Sequence, residues 1–241
     1  MKPYKLCSLL FKTTPNYEEN LQTLLTLIKQ TDANTLIVAS EVCLSAYDYE
    51  NFEAVLDFAE HAIDEIKKVS YDKIIILTMI ERRDGEIFNF AKIFHNGKVV
   101  YERAKARLFR FGDEHKYMSE GKDEDIKIVE IDGIKIAIFI CFEMRFKELW
   151  QKSEGADVIA TPSYWGVLRT EHFKAITQTL AIINQCYVVA SDSQNDDCTK
   201  MSGIINPQGE VQRNGNNPCL EVPYNEKEIE LMRRYMDVGI G

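Results

Sequence analysis

The chain has 241 residues, 45% of them apolar and 28% charged, with a formal net charge of −9. The length suits one large α/β domain or two small ones, and an acidic surplus without a basic cluster speaks against nucleic acid or an anionic membrane as partner. Six cysteines (Cys7, Cys43, Cys141, Cys186, Cys198, Cys219) form no CxxC pair, which argues against a zinc site or a disulfide framework; with no stretch approaching a membrane span, the expected location is the cytoplasm, thiols reduced.

In chain order, residues 4–11 predict a first strand. Asn16 and Tyr17 open a helix with Leu21, Leu24, Leu25 and Ile28 at helical spacing. A short apolar strand over 34–39 runs into the loop-like SEVCLSAYDYEN. A second helix carries Val55, Phe58, Ala59, Ala62, Ile63 and Ile66 on one face. A strand over 73–80 precedes a hairpin, 87–94 with 98–101, around Asn96-Gly97. Residues 104–125 read as a long polar loop. Segments 126–131 and 134–141 pair across Asp132-Gly133. The apolar run 136–141 reads as a strand buried on both faces, with a short amphipathic helix from about Arg145. Next come a strand over 156–161, a helix over 170–184 with the stripe Phe173, Ile176, Leu180, Ile183, a strand over 186–191 and a polar loop over 192–200. Short strands over 202–205, 209–213 and 219–222 lead to a last helix, 225–236, capped by Asn225 with Glu228 three residues on. Strand–helix pairs on either side of an antiparallel section predict one α/β domain over 1–241, helices outside the sheets.

Cys141 sits where its strand meets its helix. A thiol facing a helix N-terminus meets unpaired N–H groups that favour the thiolate, the nucleophilic form; the plain alternative is a buried structural cysteine. Glu41 follows the second strand, and Lys105 follows the hairpin. Ligand sites of parallel α/β sheets gather past the carboxyl ends of strands, so Glu41 and Cys141 fit one crevice that Lys105 enters from its loop. Taken singly, Glu41 and Lys105 are ordinary surface charges, and Glu114 in GDEHK an ordinary solvated one.

Together these motifs resemble the nitrilase superfamily of carbon-nitrogen hydrolases over nearly the whole chain. Its glutamate motif looks like SEVCLSAYD (Glu41), its lysine motif like YERAKARLFRFGDEHKYMSEG (Lys105, and Glu114 seven residues before Gly121), and its cysteine motif like ICFEMRFKELW (Cys141). GADVIATPSYW, NQCYVVASDS and SGIINPQGEV follow in family order. Ser40 and Lys147 stand where the family usually has proline, and Leu180 and Ile183 where an arginine and an acid are common.

The resemblance implies a four-layer α-β-β-α sandwich. It implies an amidase-type hydrolase of a small linear amide, ω-amide or carbamoyl amine rather than a nitrile, working without cofactor or metal. It implies Cys141 as nucleophile, Glu41 as base, Lys105 and the Phe142 N–H as oxyanion donors, and Glu114 as support for Lys105. Tyr47, Tyr164 and Trp165 either line the pocket or pack the core. His115 and His172 are not expected to form a dyad with a cysteine. A homodimer or higher homo-oligomer is implied, with helix 170–184 and the segment after Cys141 in the interface, where Leu180 and Ile183 make the helix face more apolar. The competing reading is a non-catalytic relative serving binding or assembly. A thiol-redox role for Cys141 is opposed by the missing resolving cysteine.

Overall fold

The computed structural model describes residues 4–240; residues 1–3 and 241 of the expected 1–241 domain lie outside them. The first half gives β1 (Lys5–Leu9), α1 (Tyr17–Gln30), β2 (Thr35–Val38), α2 (Phe52–Val69), β3 (Lys73–Arg83), β4 (Glu86–His95) and β5 (Lys98–Ala104). The second gives β6 (Val129–Ile131), β7 (Ile134–Ile138), α3 (Lys147–Trp150), β8 (Val158–Pro162), α4 (Thr170–Asn184), β9 (Tyr187–Ser191), β10 (Gly203–Ile205), β11 (Val211–Arg213), β12 (Cys219–Pro223) and α5 (Glu226–Tyr235).

The strands form two mixed six-stranded sheets, ordered β12-β1-β2-β3-β4-β5 and β11-β10-β9-β8-β7-β6. Period-2 alternation makes the layers. Leu36, Val38, Ile74 and Ile76 point into the cluster shared with Ile136, Ile138, Val158 and Val189 of the second sheet. Ile37, Ile75 and Leu77 point the other way, against Leu21, Leu24 and Ile28 of α1 and Ala62 and Ile66 of α2. With α4 packed on the second sheet through Phe173 and Leu180, the expected α-β-β-α sandwich results. Two serines stitch the sheets: Ser8 Oγ donates to the Ala190 carbonyl at 2.7 Å and Ser191 Oγ to the Leu9 carbonyl at 2.6 Å. No helix among the described residues is long and apolar enough to cross a membrane.

The predicted hairpins form, and the left-handed backbone of Asn96-Gly97 (φ 48° and 79°) and Asp132-Gly133 (φ 52° and 81°) is what such two-residue turns require. Asn16 caps α1, its Oδ1 accepting the Glu19 N–H at 3.1 Å.

Four expectations are corrected. β7 ends at Ile138, not Cys141; residues 141–145 form a 3-10 turn. β3 runs on to Arg83 and meets β4 across a third turn, Asp84-Gly85. The buried face of α4 is Phe173, Thr177, Leu180, Ala181 and Asn184, so Ile183 lies outside it, half exposed with Ile182. Asn225 does not cap α5 through its side chain; its Nδ2 donates to Glu228 Oε1 at 3.2 Å.

Candidate active site

Glu41 lies three residues past β2 and Cys141 three past β7, and both strands run parallel to neighbours. Each place carries strained backbone: Val42 has φ 43° and Cys141 has φ 45°, a region that non-glycine residues avoid and a β-branched one most of all. Lys105 enters not from a loop but as the residue directly after β5, its N–H donating to the Asn89 carbonyl at 2.8 Å. Glu114 opens a 3-10 turn, Glu114–Lys116, that folds the long loop back over the lysine. The return is closed at Gly121, whose N–H donates to the Lys105 carbonyl at 2.7 Å. A Cβ there would stand 2.5 Å from the Ala104 carbonyl oxygen, so only glycine fits.

Lys105 is wholly buried, with Nζ 2.7 Å from Glu41 Oε1, 2.8 Å from Glu114 Oε1 and 3.3 Å from the Tyr47 hydroxyl. Burial alone would lower its pKa; the two carboxylates outweigh that and raise it, fixing the ammonium. Glu41 Oε1 also accepts from Asn89 Nδ2 at 2.9 Å, and Glu41 Oε2 accepts the Tyr164 N–H at 3.2 Å. On its other side the same residue takes the Cys141 thiol, Sγ donating to the Tyr164 carbonyl at 3.8 Å. The backbone of one residue thus spans carboxylate and sulfur. Glu114 Oε2 accepts the Phe109 N–H at 3.1 Å, and burial raises the Glu114 carboxyl against the pull of Lys105.

The sulfur differs from expectation. Burial first and Glu41 second push the Cys141 thiol well above its ordinary value, with Lys105 pulling the other way. A five-residue turn does not offset burial beside two carboxylates, so the resting group is the thiol, not the thiolate.

A buried ion pair locks the two halves together. Arg103, two residues before Lys105, places Nη1 and Nη2 2.8 and 2.6 Å from the oxygens of Glu143, two residues after Cys141. Glu143 also accepts the Ala106 and Ile140 N–H groups, both at 2.7 Å, and Arg103 donates to the Ile138 carbonyl at 2.7 Å. Both terminal nitrogens of Arg103 and both oxygens of Glu143 are answered, so breaking the pair by removing one partner costs roughly 3–5 kcal/mol. Asp192 does the same for the 163–165 segment: its carboxylate, which burial pushes up to about 7, accepts the Trp165 N–H at 2.8 Å and the Thr199 N–H at 2.9 Å.

Above the thiol opens a narrow crevice lined by Phe109, Cys141, Phe142, Arg145, Tyr164, Trp165 and Arg169. Tyr164 and Trp165 are thus among its lining residues, Trp165 also packing on Phe173 with ring centroids 5.6 Å apart. Tyr47 belongs instead to the charged cluster, its hydroxyl between Lys105 and Asn89. The N–H of Phe142, in the first turn after Ile140, has no acceptor within that turn. His172 meets Arg145, not a cysteine, at 3.1 Å.

Sequence reasoning missed Asn89, Arg103, Glu143, Asp192, Arg145 and Arg169. Asn89 alone left a signal, being a strand-averse residue in the middle of the apolar IFNFAKIF.

Two stacked mixed sheets with a buried thiol, lysine and carboxylates past their strand ends define a hydrolase-like site of the α-β-β-α class. A family model described as carbon-nitrogen hydrolase matches residues 6–219, and the chain belongs to that family. The chain is 28% identical over 198 residues to the 2-oxoglutaramate amidase of Bacillus subtilis, covering 78% of this chain and 76% of that one. It is 30% identical over 137 residues to the omega-amidase YafV of Escherichia coli, covering 55% of this chain and 52% of that one. Among solved structures, Nit3 of Saccharomyces cerevisiae superposes with a TM-score of 0.85 at 22% identity, covering 98% of this chain and 95% of that one.

Proposed function

We propose that the protein hydrolyses the C–N bond of a small linear amide through a Cys141 thioester. The observation that carries this reading is the backbone of Tyr164, whose N–H donates to the Glu41 carboxylate and whose carbonyl accepts from the Cys141 thiol. Because the thiol is protonated at rest, a base beside it is required; Glu41 takes that proton as sulfur attacks the carbonyl carbon. The oxyanion is met by the Phe142 N–H and by Lys105. Two Lys105 donors are committed to Glu41 and Glu114; the third, a long contact to Tyr47, is the one free to turn to substrate. Glu41 then protonates the departing nitrogen. Ammonia or amine leaves, and Glu41 draws a proton from the water that splits the thioester, releasing the acid and restoring the thiol. Glu114 holds Lys105 in place. A non-catalytic binding role leaves the cost of burying one cation and two carboxylates at strained backbone without purpose.

The substrate, in this reading, carries a carboxylate away from its amide. Arg145 and Arg169 share the crevice with Cys141, and burial followed by the Arg169 charge lowers the pKa of Arg145. Neither guanidinium is paired with a carboxylate among the described residues; they rest over Trp165 and Phe109, at 4.7 and 5.2 Å from the ring centroids. Two facing cations left unanswered at a nucleophile's mouth fit an anion supplied by the ligand. The monoamide of a short dicarboxylic acid fits this geometry, and the 2-oxoglutaramate amidase relative is named for such a compound.

The test compares ammonia release from that monoamide with release from an uncharged alkyl amide of equal length, in wild type and in Arg169→Met and Arg145→Met. Each variant is expected to lose roughly 10–100-fold in kcat/KM on the charged substrate, mostly through KM, as follows from about 1.5–3 kcal/mol for a hydrogen bond to a charged group. The uncharged amide should be affected several-fold at most. Equal losses on both substrates would remove the carboxylate from the reading; no release from any amide would remove the hydrolase.

We further propose a homodimer through the α4 face, now resting on half-exposed Ile182 and Ile183, since Leu180 is spent in the core. Sedimentation at micromolar concentration should give twice the 27.8 kDa of one chain; a monomer alone counts against it.

A further inference from the structure

Far from the crevice, the first and last strands carry a second pair of sulfurs. β12 is the edge of the first sheet and pairs antiparallel with β1, Cys7 opposite Glu221 and Leu9 opposite Cys219. The two cysteines are thus diagonal neighbours on one face, with Sγ atoms 2.9 Å apart. Cys7 is buried in the cluster beneath α1 and α2, whereas Cys141 lies in the cluster between the sheets. Cys219 is half-buried and open to solvent. Glu221 completes the group, its Oε2 3.4 Å from Lys5 Nζ and its buried Oε1 without a hydrogen-bond partner.

We propose that Cys7 and Cys219 are a redox-active dithiol, which a hydroperoxide converts into a disulfide clasping the edge strand to the first strand. Cys219 is the attacking sulfur: it is the reachable one, and the hydrogen bond that it accepts from Cys7 draws its pKa down. Its thiolate attacks the peroxide, forming an S–O bond as the O–O bond breaks, and hydroxide (or the alkoxide) leaves and takes a proton. Cys7 then attacks the sulfenic sulfur. The S–S bond forms, the S–O bond breaks, and water leaves with the Cys7 proton. Two thiols and one peroxide become one disulfide and two waters (or one water and an alcohol).

A metal is the competing occupant, since Cys7, Cys219 and Glu221 place donor atoms within 4.8 Å of one another. The geometry disfavours it. Two thiolates on a tetrahedral metal, at bonds of about 2.3 Å, stand roughly 3.8 Å apart, wider than the spacing here.

The inference is independent of the amide chemistry, and so is its test. The reduced full chain is treated with hydrogen peroxide, its remaining thiols are alkylated, and it is digested with trypsin without reduction. Peptides 6–12 and 214–227, which hold Cys7 and Cys219, are expected joined, two hydrogens lighter than their sum, and separated again by dithiothreitol. Cys219→Ser should abolish the joined peptide while amide hydrolysis stays at the wild-type level. Recovery of the two peptides unjoined after oxidation, or Cys219 found only as sulfinic acid, overturns the proposal. So does one equivalent of Zn²⁺ binding to the reduced chain that Cys219→Ser eliminates, which would make the group a metal site. Because the decisive readout is made on the unmodified chain, a folding defect in any variant leaves it intact.

Discussion

Cys141→Ala should abolish amide hydrolysis, by roughly four orders of magnitude or more, while circular dichroism and thermal unfolding stay close to wild type. The side chain is buried but small, and truncating it to alanine removes one sulfur beside the crevice; about 1 kcal/mol of stability is at stake. The chemistry has no substitute. The remaining sulfurs, Cys7, Cys43, Cys186, Cys198 and Cys219, are absent from the crevice lining. A matched variant separates the nucleophile from its base. Glu41→Gln keeps the shape and can still accept from Asn89 and Lys105, but it cannot take a proton. With the thiol held protonated by burial, Glu41→Gln should fall almost as far in turnover and should also slow alkylation of Cys141 by iodoacetamide. If Cys141→Ala kept a tenth of wild-type turnover with unchanged dichroism, the thioester would have to be abandoned.

Lys105→Met is expected to damage both rate and stability. It is nearly isosteric, so the loss is one of charge. The oxyanion loses its cation, which is worth two to three orders of magnitude in kcat. Glu41 and Glu114 are left facing each other in the interior with no counter-charge, at a cost of about 3–5 kcal/mol. For a chain of this size that lowers the melting midpoint by on the order of 10 °C. The pH dependence follows from sign. Burial already raises Glu114 with the lysine present; without it, the folded-state Glu114 carboxyl rises further above its unfolded value. The folded state then binds more protons than the unfolded one, so the variant gains stability as pH falls. The deficit against wild type should be larger at pH 8 than at pH 5, read by chemical denaturation at both. An equal deficit at the two values, or near-normal turnover, would take Lys105 out of the charged cluster's function.

Much of the scaffold was legible because its signals are local. Asn-Gly and Asp-Gly turns, the Asn16 cap and the apolar spacing of α1 and α2 act within a few residues of chain. Failures came where burial and local pattern part company. β3 looked finished at Ile80 because Glu81, Arg82 and Arg83 follow; Glu81 stays in the sheet by pairing with buried Lys92 at 2.8 Å. Phe139 to Cys141 looked like more strand because they are apolar, but they are apolar through being enclosed as the chain turns. Glu41, Lys105, Cys141 and Glu114 were found through ordered motifs, not through any property of each alone. Arg103 and Glu143 lay beside two of those motifs and went unseen, since nothing short of the fold says that charges forty residues apart will meet in the interior.

The division of the site between the sheets has a bearing on how the protein matures. Glu41 and Lys105 are set by strands of the first sheet, and the sulfur by a strand of the second. The pieces holding them together, the Arg103–Glu143 pair and the two serine stitches, all cross the seam. A newly made chain in which both sheets have formed but not docked has nearly all its secondary structure and leaves the proposed reaction centre in two halves. Turnover regained during refolding thus counts molecules whose halves have docked, whereas far-ultraviolet dichroism counts both docked and undocked. The lag between the two signals times the closing of the seam.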